Sequence, residues 1–201
     1  MELEAKLEIF TDKTIKLPAT DRYYHINEFD WPFEIKEIQE KHPPEKFIIQ
    51  TDRYYDNIKL KLKENDLVLR NRKESLYEDK QKISRDLITY KGPKENSEFK
   101  LRKEIEFSEN PLVWKVFEEL GFQQNILVKK FRWISSVKNE IALNLCFDLV
   151  ENLGYFLELE CFTKETDSQK NSEILSQFLI KEKLDKFKME RQSYTRLLNS
   201  I

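Results

Sequence analysis

The feature that most constrains this chain is a period-two pattern of polar and apolar residues over short segments, repeated along most of its length. Residues 2–10 (ELEAKLEIF) set the pattern, and 46–55 (KFIIQTDRYY), 66–73 (DLVLRNRK), 84–91 (SRDLITYK) and 98–107 (EFKLRKEIEF) repeat it. Three more segments follow at 126–135 (ILVKKFRWIS), 139–149 (NEIALNLCFDL) and 154–162 (GYFLELECF), while 58–63 (IKLKLK) either extends a neighbour or forms a short strand of its own. A period of two places successive side chains on opposite faces of a strand, so each segment predicts one polar and one apolar face. Eight such segments, most of them not separated by long helical crossovers, predict an antiparallel meander or barrel.

Helices are the minority, which makes the expected class α+β and mainly β. Asn110 and Pro111 form a start signal, a side-chain cap followed by proline in the first turn, and Gly121 is a natural stop. Residues 31–41, 168–186 and 190–199 also carry apolar residues at helical spacing. No repeat, low-complexity stretch or Pro/Gly linker divides the chain, so residues 1–201 are expected to form a single domain.

Composition excludes several classes of function. With 35 basic and 37 acidic side chains the formal charge is -2, which argues against a general nucleic-acid binder. Aromatics at 12% exclude disorder, and three glycines are too few for a glycine-rich phosphate loop. Cys146 and Cys161 lack CxxC spacing and are expected to be inert, half-buried thiols. His25 and His42 both fall in the irregular N-terminal region, a poor place for a histidine metal site. Residues 1–30 show no signal peptide and no stretch reaches a membrane span, so a cytoplasmic protein is expected.

Which charges share a face carries the functional information. Glu2, Glu4 and Lys6 point one way on the first segment, and Glu158 and Glu160 do so on the last. Arg70 pairs with Arg72 in this sense, Arg102 with Glu104 and Glu106, and Lys130 with Arg132, while Lys91 ends a strand and Asp148 sits opposite Phe147 and Leu149. Solvated polar faces are the commoner arrangement for antiparallel sheets. Here, however, the faces are almost purely ionic, and amphipathic helices at 111–120 and 168–199 stand ready to cover the apolar sides. A barrel with its charges inside meets both conditions. Buried charge must be paired or ligated. An interior rich in both signs suits a polyphosphate carrying a divalent cation: carboxylates for the metal, arginine and lysine for the phosphate oxygens.

The residues also resemble a known family. Glu2-Leu3-Glu4-Ala5-Lys6 is similar to the ExExK signature of the CYTH superfamily, the triphosphate tunnel metalloenzymes. QTDRYYD at 50–56, LVLRNRK at 67–73, LITYKGP at 87–93, RKEIEF at 102–107, LVKKFRW at 127–133, FDLVENLGYFLELE at 147–160 and SYTRLL at 193–198 follow in family order. The resemblance implies an eight-stranded antiparallel barrel, a triphosphate tunnel, with Mg²⁺ or Mn²⁺ as cofactor. Glu2, Glu4, Glu158 and Glu160 would hold metal, joined by Glu104 and Asp148. Lys6, Arg70, Arg72, Lys91, Arg102, Lys130 and Arg132 would bind the phosphates, and Glu2, Glu4, Lys6, Glu158 and Glu160 would be catalytic.

The reaction implied is that of a class IV adenylate cyclase, ATP to cyclic AMP and pyrophosphate. The alternatives are a triphosphatase acting on inorganic, thiamine or nucleoside triphosphate, and a non-catalytic nucleotide- or polyphosphate-binding module. The expected partner is a small-molecule triphosphate, with no nucleic acid and no membrane, and a homodimer is a possible assembly. One region departs from the family: residues 11–45 are long, contain proline and carry Tyr23, Tyr24, Phe29, Trp31 and Phe33, an atypical insert expected to bear on the tunnel mouth. Tyr54 and Tyr55 are candidates for ligand contact, although core packing is the more frequent role of such tyrosines.

Overall fold

The computed structural model describes residues 1–20, 22–78, 81–95, 99–138 and 140–200. Among the described residues ten strands form one sheet: β1 (Glu2–Thr11), β2 (Lys46–Asn57), β3 (Val68–Glu78), β4 (Gln81–Lys91), β5 (Lys100–Arg102), β6 (Glu104–Ser108), β7 (Phe122–Lys138), β8 (Ala142–Val150), β9 (Gly154–Phe162) and β10 (Lys188–Met189). Their order is β10-β1-β9-β8-β7-β2-β3-β4-β6, with β5 beside β1, and every pairing is antiparallel. Glu98 and Asn139, which open two of the expected strands, lie outside the described residues.

The expected strand 98–107 is two strands, and the break closes the barrel. β5 pairs β1 (Glu2 opposite Arg102), whereas β6 pairs β4 (Lys91 opposite Glu104). The chain changes partner at Lys103, whose carbonyl accepts from the Gly92 N–H at 2.9 Å. One interrupted segment thus spans the gap between β4 and β1. Counting β5 and β6 as that segment, the barrel has the eight expected staves, with β10 as an added ribbon.

Residues 58–63 are turns, not a strand, for a local reason. The Asp56 carboxylate accepts from the backbone N–H groups of Asn57 and Leu62 at 2.7 Å each, and Asn57 Oδ1 accepts from Lys59 and Leu60. Such side-chain acceptors compete with a sheet ladder for the same donors. Lys61 and Asp66 sit at φ 48° and 54°, further removing the loop from strand geometry.

Burial on both sides of the wall follows from what covers it. Leu3, Ala5 and Leu7 of β1, Phe131 and Trp133 of β7, and Phe147 of β8 face outward into the main core. Helix α3 (Ser168–Lys181) brings Leu175, Phe178 and Leu179 to this core. The insert at 11–45 brings Tyr24, Ile26 and Trp31, with Ile35 and Ile38 from helix α1 (Phe33–Lys41). Helix α2 (Pro111–Glu119) starts as expected, with Asn110 accepting from the Leu112 N–H, and lays Trp114 against Leu69 and Ile88.

Two expectations about coverage need correction. The insert clads the outer wall, and none of its described residues lines the interior cavity. The last helix, α4 (Tyr194–Asn199), is not part of the outer coat. Tyr194 packs against Val128, Val150 and Phe156, which share the inward parity of Lys130, Asp148 and Glu158. An apolar layer therefore stoppers one end of the barrel.

Candidate functional site

Inside the barrel lies a cavity of about 260 Å³, near the small end of ligand sites and walled largely by ions. Lining it are Glu2, Glu4 and Lys6 from β1, Arg70 and Arg72 from β3, Lys91 from β4, Arg102 and Glu104 from β5 and β6, Lys130 and Arg132 from β7, and Glu158 and Glu160 from β9. Of the candidate residues only Asp148 is absent from the lining. It is fully buried inside the barrel beneath the bases, accepting from Lys130 Nζ at 2.8 Å, Arg132 Nε at 2.6 Å, Arg132 Nη2 at 2.7 Å and the Tyr194 hydroxyl at 2.9 Å. In this arrangement Asp148 positions bases and offers no free edge to a metal.

Each acid in the lining is held by bases. Glu2 meets Lys91 at 2.5 Å, Glu104 meets Lys91 at 3.0 Å and Arg70 at 3.8 Å, and Glu4 meets Lys100 at 2.8 Å. Arg132 reaches Glu160 at 2.7 Å and also bonds Glu158. Lys6 donates to the Gln192 carbonyl and lies 4.2 Å over the Tyr194 ring, which ties the catalytic candidate to the stopper. Arg102 is different, because Nε donates to the Gly92 carbonyl at 2.8 Å and Nη2 to the Asp66 carbonyl at 2.7 Å, so it braces the loops of the wall.

Sequence reasoning missed several residues of the site. Asp52 is buried between Arg72 (2.7 and 2.8 Å) and Arg70 (3.3 Å), fixing both guanidinium groups. Lys100 and Gln50 also line the cavity. Period two would have found Gln50, Asp52 and Tyr54 on one face of β2, and Lys100 beside Arg102 on β5. The tyrosine pair divides: Tyr54 lines the cavity, whereas Tyr55 stacks on Trp114 at 4.4 Å outside the barrel. Both cysteines are free and fully rather than half buried, and burial pushes the Cys161 thiol up to about 11.

Burial moves several of the lining groups away from their ordinary pKa values. Burial, with Glu4 and Glu104 adding to it against the pull of Lys91, raises Glu2 to about 7. Burial likewise raises Glu160, helped by Glu158, Glu2 and Glu4 and opposed by Arg132. Burial would raise Glu158 too, but Arg132, Lys130, Lys6 and Lys100 hold it well below the usual carboxylate range. Lys6 is lowered to about 7 by burial and by Lys100, against Glu158 and Glu4. Among the described residues no group of three His, Cys, Asp or Glu side chains is gathered to hold a metal as it stands. The donors nevertheless fit a hard divalent cation in kind: they are carboxylates, Glu4 lies opposite Glu160 in the β1–β9 register, and Glu2 and Glu160 are raised chiefly by their burial, which a cation beside them would offset.

A nearly closed antiparallel barrel with both signs of charge inside is an uncommon arrangement, and known proteins share it. The CYTH domain model matches residues 28–194, so the chain belongs to the CYTH domain family; the match begins after β1. The provisionally named adenylate cyclase MJ0240 of Methanocaldococcus jannaschii is 31% identical over 167 residues, 82% of this chain and 88% of that protein. The solved PH1819 protein of Pyrococcus horikoshii OT3 superposes with a TM-score of 0.74 at 25% identity, covering 100% of this chain and 99% of its own. HpAC1 from Hippeastrum, a provisionally named adenylyl cyclase described as having a dominant triphosphatase activity, shares the fold at TM-score 0.62 and 17% identity, covering 100% and 96%. Among the described residues no helix is long and apolar enough to cross a membrane.

Proposed function

We propose that the cavity binds a nucleoside triphosphate with Mg²⁺ or Mn²⁺ and cleaves it at phosphorus in the manner of a class IV adenylate cyclase. The observation that carries this reading is the lining itself, in which Lys6, Arg70, Arg72, Lys91, Lys130 and Arg132 converge with Glu2, Glu4, Glu158 and Glu160 on one small cavity. The unliganded site is internally neutralised, acid against base. A ligand that is itself a polyanion with a cation satisfies both sets at once: bases turn to phosphate oxygens as carboxylates turn to metal.

Gln50 favours a nucleotide. Its Nε2 donates to Glu74 at 3.1 Å, which fixes the amide orientation and leaves Oε1 buried without a partner. Ile48 and Ile134 lie on the same β2–β7 wall of the cavity. Gln50 lies between Glu74 and Lys130 in register, with Ile48 two residues along the same face of β2, and its unpaired acceptor suits a base with an exocyclic amine, adenine included.

Glu2, Glu4, Glu158 and Glu160 are the proposed metal-holding residues, with Glu104 beside them. The bound ion would supply neutralisation of the triphosphate and orientation of the nucleophile. Arg70 and Arg72, fixed by Asp52, and Lys130 and Arg132, fixed by Asp148, stabilise charge developing on the departing phosphate without having to reorganise. In a cyclase the ribose 3′-hydroxyl attacks the α-phosphorus and pyrophosphate leaves. Retention of both Glu158 and Glu160 in the lining favours one second reading, a triphosphatase in which water attacks the terminal phosphorus.

Incubation with ATP, inorganic triphosphate and thiamine triphosphate, each with Mg²⁺ or Mn²⁺, separates the readings. Cyclic AMP with pyrophosphate is the expected outcome. Free phosphate replaces the cyclase by the hydrolase, and tight binding without turnover leaves only a binding module.

A further inference from the structure

Three strands of the tunnel wall read alike from one end to the other. On β7 the inward row is Val128, Lys130, Arg132, Ile134, and on β9 it is Phe156, Glu158, Glu160, Phe162. On β2, which runs the other way, it is Tyr54, Asp52, Gln50, Ile48. Val128, Phe156 and Tyr54 belong to the apolar layer around Tyr194 that closes one end. Two polar positions follow on each strand, and each row then returns to an apolar residue. Ile134, Phe162 and Ile48 all line the cavity, so they form an apolar arc at the end away from the stopper.

Phe162 differs from the other two. Ile48 is 8% exposed and Ile134 is half-buried, whereas Phe162 lines the cavity and is still 77% exposed. A side chain that meets both the cavity and water marks the mouth. A lone exposed aromatic ring elsewhere on a surface needs no explanation. Among the described residues, however, Phe162 is the one exposed large apolar side chain that lines the tunnel. It stands opposite Glu2 in register and two residues from Glu160 on the same face, so it adjoins the proposed metal-holding acids. A cationic or hydroxyl side chain there would serve an inorganic polyphosphate better than a phenyl ring.

The blind end sets the direction of entry. Lys6, with its ammonium 4.2 Å from the centre of the Tyr194 ring, is a base next to the stopper. A nucleoside triphosphate that enters with its terminal phosphate leading keeps its base at the mouth. Base faces stack on aromatic side chains with little regard to which base is present. We propose that Phe162 is the platform on which the substrate's base stacks, and that it gives the tunnel a preference for nucleoside triphosphates over inorganic triphosphate. The proposal rests on the triphosphate reading of the tunnel and adds the residue that reads the ring.

Calorimetric titrations of ATP and of tripolyphosphate, with EDTA present to prevent turnover, test it. Phe162→Ala should weaken ATP binding about tenfold or more and change tripolyphosphate binding by less than about twofold. Thermal stability should stay at the wild-type value, because the ring is exposed. Phe162→Trp should restore ATP binding, and its indole emission should be quenched by ATP and not by tripolyphosphate. Wild type should lack that signal, since Trp31, Trp114 and Trp133 are buried and none lines the tunnel. Failure of the wild type to bind tripolyphosphate would strike the triphosphate reading and the proposal with it. Tripolyphosphate binding without ATP binding, the same effect of Phe162→Ala on both ligands, or no quenching of Phe162→Trp by ATP would overturn the platform alone.

Discussion

The two faces of β7 are both buried, yet they could hardly differ more. Outward, Phe131 and Trp133 sit in an aromatic cluster at 0% and 1% exposure, clad by Tyr24, Phe29 and Trp31 of the insert. Inward, Lys130 and Arg132 are almost as hidden, at 3% and 6%, and are held by Asp148, Glu158 and Glu160. The difference teaches a division of labour. Stability comes from the outer face, where apolar area leaves water, while the inner face spends some of it on desolvating charge. Without the insert and α3 the inner face would have to be apolar, as in an ordinary small barrel.

Substitutions on the two faces should separate accordingly. Glu158→Gln, on the inner face, should lower turnover by about a thousandfold or more while leaving the fold intact; near wild-type steady-state rates would remove Glu158 from the site. Trp133→Ala, on the outer face, should destabilise by about 3–5 kcal/mol in chemical unfolding. An effect below about 1 kcal/mol there would show that the cladding is not what holds the wall. Arg70→Ala should weaken tripolyphosphate binding about ten- to a hundredfold and metal binding much less, as read by calorimetry. Equal losses for both ligands would contradict the division between bases and acids.

A pH dependence of stability is expected as well. Glu2 is raised to about 7, so its contribution to stability is complete below its ordinary value of 4.5 and is lost as pH rises through 7. Lys6 is lowered to about 7, so its contribution is complete above its ordinary 10.5 and is lost as pH falls through 7. The two losses meet near neutrality. Glu2→Gln should reduce the decline between pH 4.5 and 7 in thermal melts, leaving the part that the likewise raised Glu160 contributes. A decline of the same size in that variant would assign it to other groups.

Much of this site was legible because period two is an unambiguous ruler. Once Glu2, Glu4 and Lys6 share a face, the partners Glu158 and Glu160, Arg70 and Arg72, and Lys130 and Arg132 follow by the same count, and all of them line the cavity. What escaped depends on contacts between elements. Asp52 reads as one polar residue among many until Arg70 and Arg72 are seen to close on it. Asp148 shares the parity of a ligand, but register places it opposite Arg132, behind the bases it holds. The stopper was missed because a short amphipathic helix looks the same from either side of a barrel wall. Likewise the insert's aromatic residues announce burial without saying where, and only the structure sets them on the back of β7.

The central claim is that the interior exchanges its internal acid–base pairs for a triphosphate and a divalent cation. Calorimetric titration of tripolyphosphate into the protein at pH 8, first in EDTA and then with Mg²⁺, tests it most directly. The account predicts one molecule bound per chain in both conditions, with Mg²⁺ tightening the affinity by about tenfold or more in the wild type and much less in Glu158→Gln. No binding in either condition, or an affinity indifferent to both Mg²⁺ and Glu158→Gln, would contradict it.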